Sequence, residues 1–370
     1  MNNWWQITNE KEVDTPFLAV YEERMAQNMQ LAIAMMQGEL QRFRPHIKTH
    51  KTGEILALFK VKGIEKIKCA TIAEAELAGM YGVKDILMAY QPVGQKLNRF
   101  IQLILKYSDL AFSCFVDNLK TVDLIQVSAA EFNITIKVYL DLNTGMNRTG
   151  IAIEDDYIAV AKEILNKPNL HLEGFHIYDG HLKSEITTRL KEVSESFSRI
   201  QKKIRKLESE VDRSFKIVAG GSNTFPFYAK QTEVECSPGT FVFWDDNYSL
   251  HLPEQKFSPA ALVVGTLISQ PTSTTFCVDI GYKSIASENP IEQRIRFLNA
   301  PDLIPIGHSE EHLVVANKGT ATWEIGDLVY GLPYHICPTV NLYETLQIIN
   351  SENKRYTQWN VLARNKKISI

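Results

Sequence analysis

The 370-residue sequence contains no apolar run long enough to span a bilayer. Its start, Met1-Asn2-Asn3-Trp4-Trp5-Gln6, lacks the charged residues and apolar stretch of a secretory signal. Cysteine is scarce and odd in number. Cys69, Cys114, Cys236, Cys277 and Cys337 show no paired spacing, which argues against a disulfide framework. Together these absences point to a reducing cytoplasm. A basic excess is missing too: 40 Lys and Arg stand against 43 Asp and Glu, so no nucleic-acid-binding face is expected. Internal repeats, low-complexity tracts and long linkers are also lacking. What remains is 45% hydrophobic and 22% charged, the balance of a soluble globular protein. The length exceeds what one ordinary core needs, so a large domain and a smaller one are expected.

Two-thirds of the chain alternates short β-rich runs with longer helical patterns. Lys66–Ala70, Asp85–Ala89, Leu110–Cys114, Ile134–Asp141, Leu172–Tyr178 and Lys216–Gly220 read as strands. Helical stretches fall between them, including Thr71–Gly79, Gln95–Tyr107, Asn118–Ala130 and a charged helix around Glu185–Glu210. This rhythm implies a parallel sheet with crossover helices, and the number of units fits a closed (β/α)8 barrel over residues 16–254. An open doubly wound sheet shares the same rhythm. From residue 255 to 370 helical periodicity fades. Ala260–Ser269, Thr275–Ile280, His312–Val315 and Thr320–Trp323 suggest a β-rich domain, with residues 1–15 expected to pack on it.

In a (β/α)8 barrel, chemistry is placed at strand C-terminal ends and the loops after them. Arg44-Pro45-His46-Ile47-Lys48-Thr49-His50-Lys51 lies between two helical patterns and reads as a strand with its exit loop. A lysine turned into a barrel is costly unless paired or used covalently, and a desolvated amine is what imine formation with an aldehyde requires. Pattern alone leaves Lys48 and Lys51 tied. Val218–Thr224 runs a strand into Gly220-Gly221-Ser222, where adjacent glycines let backbone N–H groups approach an anion. About twenty residues on, Ser237-Pro238-Gly239-Thr240 offers a second such loop. Tyr178 and His181 end another strand and suit stacking and proton transfer. Asp141–Gly150 is a glycine-punctuated exit loop carrying the always-charged Arg148.

The β-rich part has one sharp feature, Pro333-Tyr334-His335-Ile336-Cys337-Pro338-Thr339. In an extended segment i and i+2 share a face, so His335 and Cys337 would reach one ion, and imidazole with thiolate favours Zn2+. Two ligands alone imply an open site or partners elsewhere.

These boxes, in this order over nearly the whole chain, resemble the D-threonine aldolase and D-serine dehydratase family of fold-type III pyridoxal-phosphate enzymes. That family has an alanine-racemase-like barrel and a C-terminal β domain. The resemblance rests on Arg-Pro-His-x-Lys-Thr-His-Lys at 44–51, Gly-Met-Asn-Arg-x-Gly at 145–150 and Tyr-Asp-Gly-His at 178–181, with Gly-Gly-Ser at 220–222, Pro-Gly-Thr at 238–240 and His-x-Cys-Pro-Thr at 335–339. It implies that Lys48, rather than Lys51, forms the Schiff base with pyridoxal 5'-phosphate. It further implies Tyr178 and Arg148 beside the cofactor, Gly221, Ser222, Gly239 and Thr240 at its phosphate, and a divalent metal (Zn or Mn) on His335 and Cys337.

The reaction implied is lysis of a D-3-hydroxy amino acid. His181 resembles the general base of D-threonine aldolases, which favours retro-aldol cleavage to glycine and an aldehyde. Cys337 resembles the dehydratase metal pair, which favours D-serine dehydratase-type deamination to a 2-oxo acid and ammonia. A racemase and a non-catalytic carrier of pyridoxal phosphate are the further alternatives. The family's two-domain plan implies a homodimer with small-molecule substrates and no nucleic-acid or membrane partner.

Overall fold

A computed structural model describes residues 3–370. The chain divides into two compact units. One holds the residues up to Ala32, Thr49–Thr52 and Thr240–Arg364, and the other holds Ile33–Lys48, Gly53–Gly239 and Asn365–Ile370.

The second unit is the barrel. Its strands Lys66–Cys69, Asp85–Met88, Ala111–Val116, Ile136–Asn143, Leu170–Ile177, Lys216–Ala219 and Val234–Cys236 pair in parallel in chain order. They are buried on both faces, hence their near-continuous apolar character. Residues 43–47 close the circle through bridges Phe43↔Cys236 and His46↔Lys68. Arg44 N donates to Cys236 O at 2.8 Å, and Lys68 N donates to Pro45 O at 2.9 Å. Pro45 has no N–H to give, so this closing segment makes single bridges rather than the full strand the sequence suggested. It then turns over residues 47–50, delivering Lys48 just past the strand end.

Polar caps set where the crossover helices begin. Thr71 caps Ile72–Met80 by accepting from Glu74 N, and Asn118 caps Leu119–Glu131 by accepting from Thr121 N. Leu87, Phe115, Tyr139 and Val218 fill part of the barrel interior.

The other unit is built on a nine-stranded, mainly antiparallel sheet. Its strand Phe17–Tyr21 lies between Ala261–Thr272, antiparallel, and Thr345–Ile349, parallel. Residues 16–32 therefore group with the β unit rather than with the barrel. The other border also differs from the expected 254. Residues 240–254 group with the β sheet, where Asp245 accepts from Ile336 N at 3.1 Å and Asp246 pairs with Arg296. Residues 365–370 group instead with the barrel, where Ser369 N and Ile370 N donate to Glu76. Ile7 joins the core of Phe17, Tyr21, Leu262, Val264 and Tyr330, with Trp4 and Trp5 against it. Thr320–Trp323, expected as a strand, is irregular because Asn317 Nδ2 holds the Ala321 carbonyl at 2.8 Å within a loop. Among the described residues no helix is long and apolar enough to cross a membrane.

Candidate active site

The closing segment, five strand ends and the loop after Asn143 surround a cavity of about 250 Å3 in the barrel unit. Lys48, Tyr178 and Arg148 line it together, and so do Lys68, Asp141 and His176. Lys51 is not among the lining residues and takes a left-handed backbone, φ 56°. The Lys48 backbone N–H donates to His46 Nδ1 at 3.3 Å, which ties the lysine to the last bridged residue of the barrel.

Tyr178 is fixed from two sides. The Arg148 guanidinium lies 5.0 Å from its ring centroid. Gly180 and Gly221 lie so close to the ring that a Cβ would meet it at 2.5 and 2.8 Å respectively. Gly239 approaches the closing segment in the same way, since a Cβ there would come within 2.7 Å of His46 O. Ser222 is buried beside Gly221. Thr240 belongs with the β unit, and its Oγ1 lies 3.5 Å from Cys337 Sγ.

Lys68, His176 and Asp141 were not singled out from the sequence. Strand register makes Asp141 and His176 neighbours, and His176 Nδ1 lies 2.7 Å from Asp141 Oδ1. Lys68 Nζ is 3.3 Å from His176 Nε2, and the imidazole stacks on Phe115 with centroids 4.0 Å apart. All three polar residues are buried. Burial, then the charge of Lys48, brings Lys68 down to about 7; burial, then Lys68, brings His176 down to about 4. A signal was available: ionisable side chains inside short, otherwise apolar parallel strands are costly unless they have partners.

His181 stands elsewhere. It lines a second cleft of the barrel unit, about 940 Å3, with Thr144, Asp179, Ser196 and Arg199. Its Nδ1 is buried without a hydrogen-bond partner among the described residues, and its Nε2 packs on Gly145. Asp179 beside it accepts from Thr144 Oγ1 at 2.7 Å and from the Tyr228 hydroxyl at 2.8 Å.

In the β unit, His335 immediately precedes the short helix Ile336–Val340, so Cys337 lies in a first helical turn rather than in the extended segment expected. The pair still meets. Burial opposes the charged imidazole, but Cys337, Glu288 and Asp245 outweigh it and raise His335 to about 9. Glu288 Oε1 is 2.5 Å from His335 Nδ1, and Thr49 Oγ1 is 3.2 Å from Cys337 Sγ. Elsewhere in the β unit Glu310 and Glu311 pair with Lys283, and His308 bonds Arg294.

These residues fit the two groups considered. An amine lining a cavity, an aromatic ring under a guanidinium, and glycines that let backbone approach closely suit an aldehyde-bearing, phosphate-bearing cofactor. An imidazole and a thiol suit Zn2+ in an open site. Among the described residues no third His, Cys, Asp or Glu completes a closed metal cluster.

Comparison with known proteins accords with this geometry. Residues 20–245 match the family model described as alanine racemase, N-terminal domain, and residues 260–349 match that described as putative serine dehydratase domain. The chain is 22% identical to 3-hydroxy-D-aspartate aldolase of Paracoccus denitrificans (strain Pd 1222), over 97% of this chain and 94% of that one. It is 23% identical to D-threonine aldolase of an Arthrobacter species, over 91% and 89%. Its fold matches the crystal structure of D-threonine aldolase from Filomicrobium marinum with a TM-score of 0.87 at 22% identity, covering 95% of this chain and 96% of that one. The alanine-racemase-like barrel and the fold-type III family expected from the sequence are both met. With more than half its length matched by that model, this protein belongs to the family of the alanine racemase N-terminal domain.

Proposed function

We propose that this chain is a pyridoxal-phosphate- and divalent-metal-dependent lyase that cleaves D-3-hydroxy amino acids to glycine and an aldehyde. The observation that carries this reading is the convergence of Lys48, Tyr178 and Arg148 on one barrel cavity. Similarity to two aldolases over nearly the full length supports the cleavage type.

Lys48 would hold the cofactor covalently, with Gly221, Ser222, Gly239 and Thr240 at its phosphate. When bound, the cofactor would supply the electron sink for charge left on the substrate α-carbon. Tyr178 would pack against the ring, its orientation set by Arg148 and the flanking glycines. His335 and Cys337 would hold the divalent metal. His181 is the base proposed for the substrate hydroxyl, and its support is an unpartnered buried Nδ1 rather than a place in the Lys48 cavity. The same reading carries a homodimer, which light scattering would test.

Purified protein given D-threonine with Zn2+ or Mn2+ should release glycine and acetaldehyde. It should also show an absorbance band at about 420 nm that borohydride removes and Lys48→Ala lacks. A second reading, deamination of the D-serine type, is favoured by Cys337 and by the serine dehydratase match over 260–349. In that case Lys48 would take the α-proton. Pyruvate from D-serine with no glycine from D-threonine would replace the lead reading. A band without turnover would indicate a carrier, and loss of optical rotation without cleavage would indicate a racemase.

A further inference from the structure

Parallel-strand pairing fixes the backbone of Lys68, whose carbonyl accepts from Ile47 N at 2.9 Å. Its side chain is fixed as well. Asp141 accepts the His176 Nδ1 proton, which leaves Nε2 as an acceptor for one of the three protons on the Lys68 ammonium. The Phe115 ring, 28° from parallel, holds the imidazole plane. The chain Asp141–His176–Lys68 thus ends in an oriented cation inside the Lys48 cavity, with two protons still to give.

Charge in the cavity is unbalanced. Among the described lining residues Asp141 is the one carboxylate, and it is committed to His176. Against it stand Lys48, Lys68 and Arg148. The groups that bear electrostatically on Lys68 are Lys48, Arg44 and Arg148 on the positive side, His176 as its hydrogen-bond partner, and Asp141 on the negative side. A buried ammonium facing three other cations is stabilised by an arriving anion. The glycine loops proposed for phosphate, Gly220–Ser222 and Gly239, are not part of this lining. The cationic surplus is therefore not accounted for by the phosphate. Once Lys48 is joined to the cofactor, Lys68 and Arg148 remain, one more cation than a single substrate α-carboxylate needs.

We infer that Lys68, held by His176 and Asp141, is a specificity-determining cation that receives the distal carboxylate of a dicarboxylic 3-hydroxy amino acid. The assignment rests on the proposed function for the α-carbon chemistry, but its anion recognition is independent of turnover.

Two measurements test it separately. In the first, kcat/KM is compared for D-threonine and 3-hydroxy-D-aspartate in wild type, Lys68→Met and Lys68→Arg. Wild type should favour the dicarboxylate. Lys68→Met should lower its kcat/KM on the order of tenfold or more and affect D-threonine far less, and Lys68→Arg should restore much of the preference. Equal losses on both substrates, or no wild-type preference, would overturn the inference. In the second, calorimetry follows D-malate and D-lactate, which carry two and one carboxylates and no amine. Wild type should bind D-malate more tightly, and Lys68→Met should erase the difference. If the band at about 420 nm is absent from wild type, the cofactor reading fails while the D-malate result still decides this one.

Discussion

Asp141 and His176 are register partners on adjacent parallel strands, and their side chains meet at 2.7 Å in the barrel interior. The bond positions an imidazole that burial, reinforced by Lys68, holds neutral down to about pH 4. In the unfolded chain the same group takes a proton near pH 6.5. A histidine with a depressed folded pKa contributes stability present above 6.5 and lost as the pH falls toward 4. Full burial makes the loss on the order of 3 kcal/mol. His50, pushed by burial to about 3, adds a similar loss in the β unit. Tm should therefore drop between pH 7 and 4.5, and His176→Gln should flatten that drop. A Tm profile identical in variant and wild type would refute the assignment.

Arg44 places a fully buried guanidinium between two acids. Both its terminal nitrogens lie 2.8 Å from the Asp85 carboxylate, and Nε lies 2.7 Å from Glu235. Glu235 is shared with Lys66, whereas Asp85 depends on the Arg44 fork. Removing the arginine leaves the half-buried Asp85 without its fork and the buried Glu235 with Lys66 alone. Arg44→Ala should therefore cost about 3–5 kcal/mol in denaturant unfolding of the barrel. Arg44→Lys should recover only part of this, because an ammonium cannot meet both acids as the planar fork does.

Barrel and β-rich region were legible because buried parallel strands alternate with capped helices, whereas the C-terminal strands lack the helical period. The border was not, because strand Phe17–Tyr21 reads as the start of a barrel while its register partners are residues 261–264 and 347–349 of the β sheet. Nothing local in five apolar residues tells which sheet will take them. Lys48 was legible as a lysine at a strand exit, and Tyr178 as an aromatic at another. Lys68, Asp141 and His176 come from three strands, and only register and barrel closure put them together. His335 and Cys337 meet despite a helical turn that spacing alone misread, since Pro338 at the third helical position is compatible with the first turn.

Gly221 is required by close approach rather than by backbone angle. A methyl there would press on Tyr178 Cε2 at 2.8 Å and displace the ring from Arg148. Gly221→Ala should preserve the circular dichroism spectrum yet weaken pyridoxal-phosphate binding, with an effect on turnover that reaches ~100-fold if the ring moves by about an ångström. Titration of the apoprotein with the cofactor measures it. Binding equal to wild type would remove Tyr178 from the cofactor's surroundings.

Glu288 holds His335 by Nδ1, which leaves Nε2 as the nitrogen available to an ion. A carboxylate on the far nitrogen fixes the ring and raises its basicity, and losing such a partner costs about 10–100-fold in metal affinity. Glu288→Ala should weaken Zn2+ binding by that order in competition with a chromophoric chelator, and Cys337→Ser should weaken it further by removing the thiolate. Because the ion must displace protons from both donors, and His335 holds its proton up to about pH 9, affinity should climb steadily from pH 6 to 9. The sign is set by deprotonation: raising the pH frees ligands, whereas acid returns them to the protonated pair. A Zn2+ affinity that is flat with pH and indifferent to both substitutions would place the metal on other residues.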